Sequence, residues 1–156
     1  MKPARILFVC LGNICRSPLA EGILRQQAGE TRREVTVDSA GTGGWHLGNA
    51  PDPRSIAVAE RHGIDIGQQR CRRVEQTDFE RFDLIFGMDH GNVEQLRLLA
   101  PPPAQTRIHL FLDYALGTAL DVPDPYYSGV DGFETVYTML SDGCSSLIGR
   151  LDERFS

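Results

Sequence analysis

From Arg5 the chain reads Arg-Ile-Leu-Phe-Val-Cys and continues Leu-Gly-Asn-Ile-Cys-Arg-Ser-Pro as far as Pro18. A short unbroken apolar run of this kind fits a strand buried on both faces, as in a parallel sheet covered by helices. Ser17 suits the cap of a helix and Pro18 its first turn. The segment therefore predicts a strand over Arg5–Cys10, a tight loop, and a helix from Pro18 to about Ala28. Such a βα unit commits the chain to a right-handed crossover and a second parallel strand.

Three further apolar runs supply the partners: a short one at Val35 and Val37 before Ser39, another at Leu84–Met88 after Phe82, and a last one at Ile108–Leu112 after the turn Pro101–Pro103. Between and after them, apolar residues recur at three- and four-residue steps from Pro53 to about His62, from Asn92 to about Leu99, and from Phe133 to Arg154. Leu19, Ile23 and Leu24 make such a stripe in the first helix, and Val136, Leu140, Leu147, Ile148 and Leu151 in the last. The alternation implies an α/β three-layer sandwich around a parallel sheet. Without repeats, low-complexity tracts or a long polar linker, the 156 residues are expected to form one domain over 1–156.

In sheets of this class ligands gather where strand C-termini face helix N-termini, which is where the Cys10–Pro18 loop falls. The unpaired N–H groups of the helix start attract anions. Gly12 permits the tight turn and the positive φ that such a loop needs, and Asn13 tolerates the left-handed region. The loop residues Leu11, Gly12, Asn13, Ile14, Cys15 and Ser17 can then turn successive amides onto one dianion. Arg16, six positions after Cys10, adds a planar fork that grips phosphoryl oxygens in pairs. The same field favours the thiolate of Cys10, which can attack phosphorus and form a phosphocysteine that water then releases. This chemistry calls for no metal and no cofactor.

Expelling an oxygen leaving group needs a proton donor. Asp124 is the candidate, in Val122-Pro123-Asp124-Pro125-Tyr126-Tyr127, where two prolines stiffen the turn and two aromatics can wall a flat ring. The net charge of -5 excludes the broad positive field that nucleic acid requires. Arg70, Arg72 and Arg73 make too short a basic run for that purpose and read as a solvated loop or a small docking patch. The run Ile6–Val9 is too short for a signal segment, and no stretch reaches the length of a membrane span. Cysteines 10, 15, 71 and 144 lack zinc-site spacing, so thiols in a reducing cytoplasm are expected. Cys71 and Cys144 read as packing residues.

Taken together, V-C-L-G-N-I-C-R-S-P, D-S-A-G-T at Asp38–Thr42, Asp52-Pro53-Arg54, Met88-Asp89 and Asp124-Pro125-Tyr126-Tyr127 resemble the low-molecular-weight protein tyrosine phosphatase family, almost end to end. The resemblance implies a flavodoxin-like, four-stranded parallel sheet flanked by helices. It implies Cys10 as nucleophile, Arg16 as phosphate binder, and Asp124 as acid and later base. Asn13 would hold the loop in shape, while Ser17 would hydrogen-bond the Cys10 thiolate and help it leave. Trp45, Tyr126 and Tyr127 would wall the cleft, with Leu11 and Asn49 beside them. Tyrosine-phosphorylated proteins would be the substrates, and inorganic phosphate or other oxyanions would occupy the same loop.

Many relatives place a histidine where it braces the loop asparagine; here Gln69 stands near that position. His46, His62, His90 and His109 have no clear pairing with Cys10 and read as ordinary polar residues. Cys15 could form a reversible disulfide with oxidised Cys10 and protect it. An arsenate reductase of this fold passes its intermediate to further cysteines, and Phe82–Leu99 has none. A protein arginine phosphatase carries threonine where this loop has Ile14. Both alternatives therefore rank below phosphotyrosine.

Overall fold

The computed structural model describes residues 3–155; Met1, Lys2 and Ser156, the ends of the expected 1–156 domain, lie outside the described residues. The first apolar run forms β1 (Ala4–Cys10), and its side chains alternate between two cores because successive residues of a strand face opposite ways. Ile6 and Phe8 enter one core, together with Leu19 and Ile23 of α1 (Arg16–Glu30) and Leu140 and Leu147 of α6 (Val130–Phe155). Leu7 and Val9 enter the other, with Phe79 of α3 (Asp78–Arg81) and Val93 and Leu96 of α4 (His90–Leu99). Helices thus cover both faces, so every residue of β1 from Ile6 to Cys10 is buried.

β2 (Val35–Gly41), β3 (Leu84–Gly87) and β4 (Ile108–Leu110) complete a four-stranded sheet in the order β2-β1-β3-β4, with every pairing parallel. After β1 the chain goes to β2 on one side and then crosses to β3 on the other. The crevice at such a switch point lies beyond the C-terminal end of β1, and Cys10 is the last residue of that strand. The end of β2 makes room for the loop after Cys10: a Cβ on Gly41 would lie 2.9 Å from the carbonyl oxygen of Leu11. Only glycine lets the loop seat so closely on the strand end.

The expected strand over Ile108–Leu112 stops at Leu110, and Phe111–Leu116 forms a helix, α5. Phe111 packs edge-on to Phe8 at 5.2 Å between ring centroids. Its apolar character reflects burial, which a strand and a buried helix share. Likewise β3 ends at Gly87, although Met88 beyond it is fully buried. The short α3 and the 3₁₀ turn Pro102–Arg107 are elements that periodicity does not reveal. The helix expected from Pro53 is α2 (Pro53–Arg61), capped by the Asp52 carboxylate, which accepts from the Arg54 amide at 2.8 Å.

Candidate active site

Residues 10–15 form a loop whose carbonyls are drawn outward. The Thr42 amide donates to the Cys10 carbonyl at 3.0 Å, Gly43 to Leu11 at 2.9 Å and Asp52 to Ile14 at 2.8 Å. The Cys71 thiol donates to the Asn13 carbonyl at 2.8 Å and the Ser55 hydroxyl to that of Cys15 at 3.3 Å. With these carbonyls held outside, the amides turn toward the centre. Among the described residues no backbone acceptor takes the N–H groups of Gly12, Asn13, Ile14 or Cys15. Amides left unpaired in this way can converge on one anion.

The loop residues share the work differently from the expectation. Asn13 has φ 55°, while Gly12 is not among the residues with positive φ. Gly12 serves for space instead, since a Cβ there would approach Cδ2 of His46 to 3.3 Å. The helix also begins earlier than expected: α1 starts at Arg16, its N-cap is Cys15, and no side chain caps it. Ser17 cannot cap because its hydroxyl is committed inward. Pro18 is harmless at the third helical position because the amides of a first turn are unpaired in any case.

The Arg72 amide donates to Oδ1 of Asn13 at 2.9 Å, which fixes the orientation of the side-chain amide. Nδ2 therefore donates to Ser17 Oγ at 2.9 Å and to Ser39 Oγ at 3.0 Å. Ser39 in turn donates to the buried Glu21 carboxylate at 2.7 Å. Ser17, already accepting from Asn13, has its own proton left for the Cys10 sulfur 3.0 Å away. A hydroxyl so oriented stabilises a thiolate.

The bracing expected near Gln69 is thus supplied elsewhere, by Ser39 and the Arg72 amide; the Gln69 side chain donates to the Pro18 carbonyl at 3.0 Å. Arg72 is no solvated or docking residue. Its guanidinium forks onto both oxygens of the fully buried Asp78, at 2.9 and 3.0 Å. Asn13→Ala places a β-carbon residue in left-handed backbone and leaves two buried serines without their donor. It is expected to destabilise the protein by about 1–3 kcal/mol, read from the midpoint of urea unfolding. An unchanged midpoint would contradict this role.

Arg16 is buried, with 3% of its side chain exposed. Burial opposes its charge, yet Cys10 and the carboxylates of Asp89 and Asp124 outweigh that and hold its pKa above the ordinary arginine value. Nη1 donates to Asp89 Oδ2 at 2.7 Å and to the Val122 carbonyl at 2.8 Å. Asp89, to which sequence reasoning assigned no role, caps α4 by accepting from the Asn92 amide at 2.7 Å while orienting Arg16. An aspartate three residues before Asn92, at a helix start, was the available signal. Nη2 lies 3.8 Å from Oδ2 of Asp124.

Cys10, Arg16 and Asp124 line one cleft of about 280 Å³ with Leu11, Trp45, Tyr126 and Tyr127. Tyr127 is 99% exposed and Trp45 71% exposed, so both rings stand at the mouth. Two expectations are corrected. Asn49 does not line the cleft; its amide donates to the His46 carbonyl and its carbonyl accepts from the Cys71 amide, so its backbone shapes the loop behind. His46, read as an ordinary polar residue, does line the cleft. Cys71, read as packing, instead supports the loop from below, whereas Cys144 is fully buried in the core.

Known proteins are similar to this chain over almost its whole length. A sequence profile described as low molecular weight phosphotyrosine protein phosphatase matches residues 5–156. The low molecular weight phosphotyrosine protein phosphatase of Schizosaccharomyces pombe is 44% identical, covering 90% of this chain and 92% of its own. YfkJ of Bacillus subtilis, a low molecular weight protein-tyrosine-phosphatase, is 42% identical, covering 95% and 96%. Its crystal structure superposes with a TM-score of 0.92, covering 100% of this chain and 99% of that one, at 39% identity. The Entamoeba histolytica protein tyrosine phosphatase with Hepes in its active site also gives 0.92, at 36% identity over 98% and 99% of the two chains.

Proposed function

Because this chain belongs to the low molecular weight phosphotyrosine protein phosphatase family and is a protein-tyrosine phosphatase, we propose that it works through a phosphocysteine on Cys10. The supporting observation is the convergence of Cys10, the amides of its loop, Arg16 and Asp124 on one cleft. The phosphoryl oxygens take the amides and the Arg16 guanidinium, which follows them as they flatten in the transition state. The thiolate forms the S–P bond as the P–O bond of the ester breaks.

Two aspartates stand near enough to protonate the departing oxygen, and their bonding separates them. Asp89 is engaged on both oxygens, by Arg16 and by the Asn92 amide, each at 2.7 Å. Asp124 accepts from the Tyr126 amide at 3.1 Å through Oδ1, and Oδ2 lies 3.8 Å from Arg16, open to the cleft. Asp124 is therefore the acid, and Asp89 the anchor of Arg16. In the second step Asp124 takes a proton from water as water attacks phosphorus, and Ser17 hydrogen-bonds the departing thiolate.

The substrates are tyrosine-phosphorylated proteins. Tyr126, Tyr127 and Trp45 can flank an aryl ring, whereas a phosphoserine is too short to reach them from the loop. Tetrahedral oxyanions, phosphate above all, compete for the nest. No helix among the described residues is long and apolar enough to cross a membrane. Cytoplasmic residence belongs to the proposal because a reducing compartment preserves the thiolate. The test is turnover of phosphotyrosine and phosphoserine peptides of one sequence: release of phosphate from the first alone is expected, and equal rates would remove the cleft argument.

Cys15 completes the proposal as a resolving thiol. Peroxide would convert the Cys10 thiolate to a sulfenic acid with loss of water, and attack by the Cys15 sulfur would expel a second water and leave a disulfide. Burial, with Asp52, Cys10 and Asp124 nearby, pushes the Cys15 thiol up to about 12. Closure should therefore accelerate as pH rises toward that value, since only the thiolate attacks. Dithiothreitol should restore peroxide-treated enzyme, and Cys15→Ala should make the loss permanent; restoration in the variant as well would remove Cys15 from this role.

A further inference from the structure

Arg54 takes no part in the chemistry above, yet it joins three parts of the site. It sits in the first turn of α2, where Nε donates to Asp52 Oδ1 at 3.0 Å and Nη2 to Asp52 Oδ2 at 2.9 Å. Asp52 is tied to the phosphate loop through its own amide, which donates to the Ile14 carbonyl at 2.8 Å. The remaining nitrogen, Nη1, donates to the Ser128 carbonyl at 3.4 Å, in the turn that Ser128 closes by donating to the Pro125 carbonyl at 2.8 Å. The guanidinium carbon also lies 5.4 Å from the centre of the Tyr126 ring and 4.7 Å from that of the buried Phe133 in α6. The guanidinium thereby uses both its edge and its face: donors to Asp52 and Ser128, and cation–π contact with Tyr126 and Phe133.

We propose that Arg54 is a positioning residue that holds Tyr126 and the Asp124 turn in register with the phosphate loop. Tyr126 is the link, because its ring walls the cleft and its amide donates to the Asp124 carboxylate. Each contact is weak, since 42% of the Arg54 side chain is exposed and exposed ion pairs contribute little to folding. Small displacements of a proton donor nevertheless cost rate steeply, so the effect belongs to catalysis rather than to stability. Lysine cannot replace it: an ammonium offers neither the fork to both Asp52 oxygens nor a flat face to the rings.

The inference rests on the phosphatase reading, and the experiment separates the two. Wild type, Arg54→Lys, Arg54→Ala and Cys10→Ser are assayed with p-nitrophenyl phosphate and with an alkyl phosphate. Both Arg54 variants are expected to raise KM for p-nitrophenyl phosphate about two- to fivefold, the scale of one exposed cation–π contact. Both should also lose more kcat/KM on the alkyl ester than on the nitrophenyl ester, as the acid drifts. Combining Arg54→Lys with Tyr126→Leu should add little to either single change, because Arg54 acts through that ring. Wild-type values in Arg54→Lys, equal losses on both esters, or full additivity with Tyr126→Leu would each overturn the role. If wild type itself fails to turn over, or Cys10→Ser retains its rate, the phosphatase mechanism falls instead.

Discussion

Cys10→Ser is expected to lower hydrolysis of p-nitrophenyl phosphate by about 10⁴-fold or more, the scale seen when a catalytic nucleophile is removed. A serine there would still face Ser17 but would present a neutral hydroxyl. Arg16, the nearest strong group to the phosphate, is permanently charged and cannot accept the proton that a serine nucleophile must lose. Binding should survive, because the outward carbonyls, the inward amides and the Arg16–Asp89 pair do not depend on sulfur. Calorimetry with a phosphotyrosine peptide should therefore find the variant binding while turnover is absent. Residual turnover within tenfold of wild type would dismiss Cys10 as the nucleophile. The same variant is a means of capturing the phosphoproteins on which the enzyme acts.

Asp124→Ala is expected to cost about 10²- to 10⁴-fold in kcat/KM for alkyl phosphates and much less for p-nitrophenyl phosphate. A nitrophenolate leaves readily without a proton, whereas an alkoxide does not. The loss should therefore grow with the basicity of the leaving group. Equal losses across a series of esters would remove Asp124 as the acid. The variant also takes a nearby negative charge from Arg16, but Asp89 at 2.7 Å still holds that guanidinium, so phosphate affinity should change little. That contrast separates the acid from the anchor: Asp89→Ala should weaken phosphate binding as well as turnover, because it frees Arg16 and uncaps α4.

Residues 5–18 held most of what was legible in the sequence, because their message is local. A buried strand, a loop and a helix start are fixed by neighbours along the chain, and the loop's capacity to take an anion depends on the same few residues. Local reading erred where two elements share one signature. Ile108–Leu112 is apolar apart from His109, but its last two residues are helical. Ser17 has the chemistry of a cap and spends its hydroxyl on Cys10 and Asn13 instead, a choice made by Ser39 and Arg72, which lie 26 and 59 residues from Asn13 and hold it in place.

What the sequence determined alone was the parallel α/β plan, a tight loop carrying Cys10 and Arg16 between strand and helix, and the presence of an aspartate in a stiff aromatic turn. These are properties of short segments, set by burial period, helix-start chemistry and charge. Only the tertiary structure decided that Arg72 and Ser39 brace Asn13, that Asp89 orients Arg16, that His46 rather than Asn49 lines the cleft, and that Arg54 reaches Tyr126. Each of these contacts joins segments far apart in sequence. Hydrogen bonds and ring contacts act over a few ångströms of space, and nothing in the spacing of residues records which distant segments the sheet will bring within that reach.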